Sequence, residues 1–197
     1  MQTQQTPTLN QPAGAQAVRR ILDLTSQLGL FYDPATGQHS LRALQDLPQG
    51  AQLHTFGARE YVAQPTYLSV QVGDAAHIHL FPEFLQYINH SCAPNTFFDT
   101  VQGVVVALRD IAPQEEITFF YPSTEWSMTQ PFTCLCGAAA CLGRIQGAAY
   151  LNRQALRQYR FAGHIQQRLR RTLGAYWKTT RELTRPSAPL RLAQAAA

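Results

Sequence analysis

The sequence lacks any run of eighteen uncharged apolar residues, and this absence argues against a membrane-spanning helix. It also lacks, in residues 1–16, the basic-then-apolar pattern of a secretory signal peptide. Those residues are instead rich in Gln, Thr, Pro and Ala, a composition that predicts a disordered leader. The two absences favour an intracellular, cytoplasmic protein with no membrane contact. A compact chain without large accessory domains would suit a bacterial host.

Basic residues are scarce in most of the chain and concentrated at its end. Residues 1–143 hold five basic side chains against eleven acidic ones, whereas residues 144–197 hold eleven basic side chains against one acid. Acidic surfaces attract cationic partners such as Lys- and Arg-rich peptides, and basic stretches attract phosphates or acidic surfaces. The sequence therefore predicts an acidic body with a basic extension. The extension either stays solvated, folds back onto the body or contacts nucleic acid.

Short apolar segments, broken by Gly, Pro, Asp and Gln, fill the region from residue 29 to residue 121. His77 and His79 alternate there with apolar residues, which favours the polar face of a strand over a metal site. Proline-containing turns are predicted at residues 46–50 and 110–114. The region is predicted to be rich in β structure, with strands at residues 66–72, 76–80, 103–108 and 116–121.

Helices are predicted on both sides of this β-rich region. Apolar residues at roughly helical spacing predict a short helix over residues 17–28. Residues 148–180 combine regularly spaced apolar residues with Arg and Gln, and Gly163 and Gly174 divide them into two or three short helices. Residues 186–197, with two prolines and a final run of alanines, predict a frayed, disordered end.

The chain contains only four cysteines, and their spacing indicates a shared site. Cys134, Cys136 and Cys141 form a Cys-x-Cys-x4-Cys cluster, and Cys92 lies well upstream of it. Zinc binds four ligands in a tetrahedron, and four thiolates are a common structural set. Disulfides are the alternative, although an intracellular chain disfavours them. The spacing predicts one structural Zn²⁺, with residues 134–146 disordered in the metal-free protein.

Three motifs, in order, resemble those of SET-domain protein-lysine methyltransferases. Residues 87–95 read Tyr-Ile-Asn-His-Ser-Cys-Ala-Pro-Asn and contain the Asn-His-Ser-Cys signature of that family. Residues 115–121 read Glu-Glu-Ile-Thr-Phe-Phe-Tyr and resemble the family's Glu-Glu-Leu-Thr-Phe-Asp-Tyr strand, with Phe120 in place of Asp. The cysteine cluster followed by Leu-Gly-Arg-Ile is similar to the post-SET module, which in this family shares a zinc ion with the cysteine of the first motif. The resemblance covers about residues 87–145.

The resemblance implies an α+β fold that is mostly β. Several short curved sheets are expected, with a knot-like threaded C-terminal segment, a zinc-stapled post-SET module and a helical C-terminal extension. The implied division of the chain is a disordered leader (1–16), a SET domain with an N-terminal helix (17–121), a post-SET zinc module (122–146), a basic helical extension (147–185) and a disordered tail (186–197).

The resemblance also implies the roles of individual residues. Tyr121 is expected to be catalytic, with its hydroxyl orienting the substrate amine. Phe119 and Phe132 are expected to line the substrate channel. The expected ligands of S-adenosylmethionine are Asn89, His90, Ser40, Arg42 and Leu142, and the expected zinc ligands are Cys92, Cys134, Cys136 and Cys141. Ser40 stands where the family carries the second glycine of a Gly-x-Gly loop, and this departure affects the geometry of the cofactor loop.

The implied activity is transfer of methyl groups from S-adenosylmethionine to the side-chain amine of an exposed lysine. The acidic body favours a basic protein as substrate. Because Phe119 has no hydroxyl to anchor a water molecule in the channel, di- or trimethylation is predicted. The alternative is a catalytically weak, zinc-stapled protein-binding module, which the altered Gly-x-Gly loop motivates. In that alternative the basic tail is a nucleic-acid tether, with a weak, salt-sensitive affinity.

Overall fold

The computed structural model describes residues 17–173. The leader, the tail and the part of the basic extension beyond residue 173 lie outside the described residues. Within them, β structure predominates, as predicted. The strands are β1 (Arg19–Asp23), β2 (Leu28–Asp33), β3 (Gln38–Ala43), β4 (Gln52–Thr55), β5 (Gly57–Val62), β6 (Val70–Gln71), β7 (His77–Phe81), β8 (Asn89–His90), β9 (Thr96–Asp99), β10 (Val104–Ala107), β11 (Thr118–Phe119), β12 (Phe132–Thr133) and β13 (Arg144–Ile145). The helices are α1 (Arg153–Gln158) and α2 (Gly163–Leu173), with three short 3₁₀ turns at Glu83–Tyr87, Tyr121–Ser123 and Ala148–Tyr150.

The helix predicted for residues 17–28 is wrong. Within this segment, Arg19–Asp23 forms strand β1, which pairs antiparallel with β2 and places Arg19 opposite Tyr32. Ile21 and Leu22 remain 51% and 55% exposed, so the apolar spacing does not correspond to a buried helical stripe. The register shifts between Arg20 and Leu22, at Ile21, and pairing with the edge of β2 overrides the weak helical pattern.

The main core lies among three small sheets. They are β1-β2-β3, β4-β10-β9-β11-β8 and β5-β7-β6. Leu28, Leu41, Phe98, Val105 and Ile117 are fully buried between them. The strands predicted at residues 76–80 and 103–108 are confirmed as β7 and β10, whereas those predicted at 66–72 and 116–121 shorten to β6 and β11. The two predicted proline turns meet through a bridge between Leu47 and Ile111.

The parallel pairing of β8 with β11 positions the first two sequence motifs side by side. Thr118 lies opposite Asn89, and Phe119 lies opposite His90. The backbone N–H of Ser91 extends the ladder by donating to the carbonyl oxygen of Phe119 at 3.1 Å. As a result, the Asn-His-Ser-Cys segment runs directly alongside β11, which leads into the 3₁₀ turn that begins at Tyr121.

The predicted C-terminal helices are confirmed as far as residue 173, and they pack on the body rather than projecting from it. Asn152 caps α1 by accepting a hydrogen bond from the N–H of Ala155 at 2.9 Å. The helices bury a second apolar cluster around Phe120, which includes Leu156, Phe161, Ile165 and Leu169. No helix in residues 17–173 is long and apolar enough to cross a membrane.

Basic side chains of the extension contact the acidic body. Arg160 pairs with Asp99 at 3.0 Å, and Arg171 pairs with Asp74. The guanidinium of Arg168 lies over the ring of Trp126, 4.6 Å from its centroid. Of the three arrangements left open by the sequence, folding back onto the body is the one observed for these arginines. Contact with nucleic acid stays a prediction.

Candidate functional site

A cleft of about 550 Å³ opens beside β8 and β11, a volume within the usual range for small-molecule sites. Its walls combine apolar and aromatic side chains with almost as much polar surface. The lining residues come from the β2–β3 hairpin (37–39), the segment before β7 (66–70), Leu80, the turn into β8 (85–89), Phe119 of β11, Tyr121 in the 3₁₀ turn that follows, Glu125 and the segment leading into β12 (128–132).

Tyr121 begins the 3₁₀ turn after β11 and lines this cleft. Its hydroxyl donates a hydrogen bond to the carbonyl oxygen of Ile88 at 3.2 Å. Burial raises the pKa of Tyr121 well above its ordinary value, and the nearby Glu116 adds to the effect. The hydroxyl therefore stays protonated at physiological pH. Since its proton points to Ile88, its oxygen lone pairs are available to accept a hydrogen bond from an amine.

Aromatic rings surround Tyr121 on the cleft side. The centroid of the Phe119 ring lies 4.6 Å from that of Tyr121, and the Phe132 centroid lies at 6.1 Å. Both phenylalanines line the cleft, where the resemblance places a substrate channel. Such a wall excludes water from an amine that enters beside the tyrosine hydroxyl.

Asn89 also lines the cleft, and its amide joins three segments of the chain. Nδ2 donates to the carbonyl oxygen of His39 at 2.9 Å and to Oε1 of Glu116 at 2.8 Å. Both amide protons are therefore used within the protein, and Oδ1 is the atom of this side chain that can accept a hydrogen bond from a ligand.

His90 connects the tyrosine to the cysteines rather than lining the cleft. Nδ1 accepts a hydrogen bond from the N–H of Tyr121 at 3.2 Å, and Nε2 lies 3.4 Å from Sγ of Cys92. Burial lowers the pKa of His90 to about 4, so the ring is neutral at pH 7. Because Nδ1 is an acceptor, the single ring proton resides on Nε2 and points to the sulfur.

The four cysteine side chains converge, with all four Sγ atoms within 4.8 Å of one another. Sγ of Cys92 lies 3.9 Å from that of Cys134 and 4.0 Å from that of Cys141. A tetrahedral Zn²⁺ with four thiolates has Zn–S bonds of about 2.3 Å, which corresponds to sulfur–sulfur distances of about 3.8 Å. All four thiols are free, so the disulfide alternative is not observed. The donor set and its spacing fit zinc.

Backbone N–H groups point at these sulfurs and favour their charged form. Leu142 donates to Sγ of Cys92 at 3.4 Å, and Cys92 donates to Sγ of Cys136 at 3.4 Å. Burial by itself would raise the pKa of the Cys136 thiol, but backbone N–H groups of Cys92 and Ala138 lower it to about 6. The short hairpin of β12 and β13 closes the loop that carries the last three cysteines, and Phe132 of β12 extends from it into the cleft.

Four of the predicted cofactor ligands do not line the cleft. Ser40 is buried in β3, opposite Phe31 in β2. Arg42 is turned away, because Nη1 donates to the carbonyl oxygen of Gln114 at 3.0 Å and its guanidinium lies over the Phe31 ring. His90 and Leu142 contact the cysteine centre instead. From the β2–β3 hairpin, it is residues 37–39, just before Ser40, that reach the cleft.

Sequence reasoning missed Glu125 and the segment 66–69 as cleft residues. The signal for Glu125 was available, since it is the only acidic residue between Tyr121 and the first cysteine of the cluster. Residues 66–69 carry no comparable signal. They reach the cleft through the packing of the small β5-β7-β6 sheet, which the sequence pattern does not specify.

The chain is similar to several known proteins. The SET domain family matches residues 39–122. Methyltransferase flvH of Aspergillus flavus is 37% identical over 165 residues, which cover 83% of this chain and 86% of that protein. A histone-lysine N-methyltransferase, H3 lysine-4 specific, of Chaetomium globosum is 46% identical over 65 residues, covering 29% of this chain and 6% of that protein. Among solved structures, KRYPTONITE in complex with mCHH DNA, H3(1-15) peptide and SAH superposes with a TM-score of 0.47 and 25% identity, over 61% of this chain and 30% of that one.

These two curated relatives come from fungi, and they give no support to the expectation of a bacterial host. The match to the Chaetomium enzyme is confined to a small part of a much longer protein. The match to flvH, in contrast, spans most of both chains and includes the region of the SET match. On this evidence the chain belongs to the SET-domain methyltransferase family.

Proposed function

We propose that the protein transfers methyl groups from S-adenosylmethionine to the side-chain amine of lysine in a protein substrate. The observation that carries the proposal is the convergence of Tyr121, Phe119 and Asn89 on one cleft, next to four cysteines spaced for zinc. Relatives named as histone-lysine methyltransferases support lysine as the acceptor, although they match less than a third of the chain.

Tyr121 orients the amine in this proposal. The amine must arrive unprotonated, and from a reference pKa of about 10.4 this costs roughly 4–5 kcal/mol at pH 7. The aromatic walls of Phe119 and Phe132 reduce the cost by removing water from the ammonium form. The Tyr121 hydroxyl, which donates to Ile88, accepts a hydrogen bond from the amine and aligns its lone pair for an in-line displacement.

The cofactor would be held at the other end of the cleft and would supply the electrophilic methyl group. Oδ1 of Asn89 and the hairpin residues Gly37, Gln38 and His39 are the groups positioned to contact it. Ser40 follows these hairpin residues in β3, and His90 connects Tyr121 to the cysteine centre, which Leu142 also contacts. Zn²⁺ bound by the four cysteines would be structural, because a complete set of four protein ligands leaves no open position for substrate.

A catalytically weak binding module is the second candidate, and the departure from Gly-x-Gly at Ser40 is the observation that favours it. Calorimetry with S-adenosylmethionine separates the two, since the enzyme binds the cofactor and the weak module binds little or none. The match of flvH, which is named only as a methyltransferase, over 83% of the chain supports the enzyme.

The deciding experiment is incubation of the purified protein with labelled cofactor and a host lysate, followed by separation of protein from small molecules. Wild type is expected to label protein, Tyr121→Phe to label it weakly, and Tyr61→Phe to label it like wild type. Tyr61 is a suitable control because it is 74% exposed and lies outside the cleft. Label recovered only in the small-molecule fraction, or equal labelling by Tyr121→Phe, would contradict the proposal.

A further inference from the structure

Glu125 brings a carboxylate into the cleft one turn after Tyr121. Its backbone N–H donates to the carbonyl oxygen of Tyr121 at 3.1 Å, and its side chain lines the same cavity. The side chain is only 13% exposed. Burying a charged carboxylate to this extent costs free energy unless hydrogen bonds or opposite charges compensate it. The groups around Glu125 therefore indicate what its carboxylate binds.

Hydrogen bonds from neighbouring segments hold Glu125 in one orientation. Oε1 accepts from the N–H of Gln71 at 2.7 Å, while the Gln71 side chain accepts from the N–H of Trp126 at 2.9 Å. The N–H of Ala148 donates to the Glu125 carbonyl oxygen at 2.8 Å. The second carboxylate oxygen, Oε2, lies 3.7 Å from Nε2 of His77, which is beyond hydrogen-bond distance. Within residues 17–173, Oε2 has no hydrogen-bond partner.

Glu125 is also the only Asp, Glu, Lys or Arg among the described residues that line the cleft. A single fixed carboxylate, with no Lys or Arg beside it in the cleft lining formed by residues 17–173, favours a positively charged ligand group. Either of two substrate groups could bind the Glu125 carboxylate: the amine that reacts, or a second cation elsewhere on the same molecule.

The geometry favours the second cation. A carboxylate next to the reacting amine would stabilise its protonated form and oppose methyl transfer. The carboxylate of Glu125 is bonded to Gln71 of β6, whereas the Tyr121 hydroxyl is bonded to Ile88 before β8, so the two groups are anchored to different walls. We propose that Glu125 binds a second, non-reacting cation of the substrate and thereby selects lysines that have an arginine or another basic residue nearby in sequence. This inference rests on the proposed function.

The test compares matched substrates and matched variants. The substrates are short synthetic peptides with one lysine and one arginine, the arginine being moved one position at a time on either side. A second, matched set of peptides carries citrulline in place of arginine, which removes the positive charge and keeps the shape of the side chain. The variants are Glu125→Gln, which keeps an oxygen to accept from Gln71, and Glu83→Gln, which removes an exposed carboxylate outside the cleft lining. Each is assayed with cofactor for KM and kcat, and with S-adenosylhomocysteine for peptide binding.

At one arginine position, wild type is expected to show a KM about tenfold lower than for the citrulline peptide, as one charge-assisted hydrogen bond predicts. Glu125→Gln is expected to bring this ratio to about one with an unchanged Tm, and Glu83→Gln is expected to keep the wild-type ratio. Methylation of arginine and citrulline peptides with equal KM at every position would overturn the inference and leave the proposed function standing. The inference would also be overturned if Glu125→Gln kept the wild-type KM ratio. The same holds if Glu125→Gln had a lower Tm and lost activity on the arginine and the citrulline peptides alike. If wild type neither binds nor methylates any peptide, the protein-lysine assignment fails and the inference fails with it.

Discussion

Tyr159 connects the helical extension to the cysteine centre, and its substitution offers a quantitative test of that connection. Its hydroxyl donates to the carbonyl oxygen of Cys92 at 2.8 Å, and its ring stacks on Phe120 with centroids 3.7 Å apart and planes 12° from parallel. Tyr159→Phe removes the hydrogen bond and keeps the stacking, and it is expected to cost about 1 kcal/mol. Tyr159→Ala removes both, and because the ring is only partly buried, the expected cost is about 2–4 kcal/mol.

The two variants are compared by urea unfolding and by the rate at which a chelator removes the proposed zinc. A loss of about 1 kcal/mol in the contact that holds Cys92 corresponds to about fivefold faster zinc release in Tyr159→Phe. The control is Tyr150→Phe, since the Tyr150 ring is 58% exposed and its hydroxyl contacts Ser127 rather than a cysteine segment. If Tyr159→Ala matched wild type in both measurements, the extension would contribute nothing to the cysteine centre, and the reasoning would be refuted.

Three further predictions address the metal, the product and the pH dependence. Removal of the metal should abolish hydrogen-exchange protection in β12 and β13 and leave β9 and β10 protected, because only the first pair depends on ligands that the metal draws together; uniform protection with and without metal would contradict this. Phe119→Tyr places a hydroxyl in the cleft beside Tyr121. Mass spectrometry should then show a shift from di- and trimethyl-lysine towards monomethyl-lysine. An unchanged product distribution would exclude a role of Phe119 in setting the degree of methylation. Because burial raises the pKa of Tyr121, ionisation of its hydroxyl should not reduce kcat at moderately alkaline pH. The value of kcat should instead rise with pH as the substrate amine loses its proton. A fall in kcat between about pH 7 and 9 would show that Tyr121 titrates in that range.

The sequence motifs predicted the centre of the fold because they combine chemistry with local structure. The convergence of Cys92 with the later cluster followed from the need of one metal for four thiolates, and the four sulfurs do lie together. The parallel pairing of Asn89 with Thr118 was not predicted, since strands this short give almost no periodic signal.

The helix prediction that failed, and the unexpected surroundings of Arg42, both concern residues whose environment is built by other segments of the chain. The pattern around Ile21 suits a strand or a helix, and only the neighbouring β2 decides between them. The role of Arg42 at the cofactor stays a prediction. Its side chain donates to the carbonyl oxygen of Gln114, far away in sequence, and does not line the cleft. Contacts over such sequence distances leave no mark on local composition, so the sequence could not reveal them.

The replacement of Asp by Phe120 in the family motif is explained by the extension. Phe119 packs into the main core, and Tyr121 lines the cleft. Phe120, which lies between them in the sequence, packs into the second apolar cluster and is 2% exposed. An aspartate buried against Tyr159 and Phe161 would lack the hydrogen-bond partners that its charge requires. A phenylalanine at this position instead gives the helices an apolar surface directly behind β11 and Tyr121. The departure from the motif and the presence of the extension are therefore one feature. The helices complete the core that supports Tyr121, and Arg160, Arg168 and Arg171 hold the extension on the body.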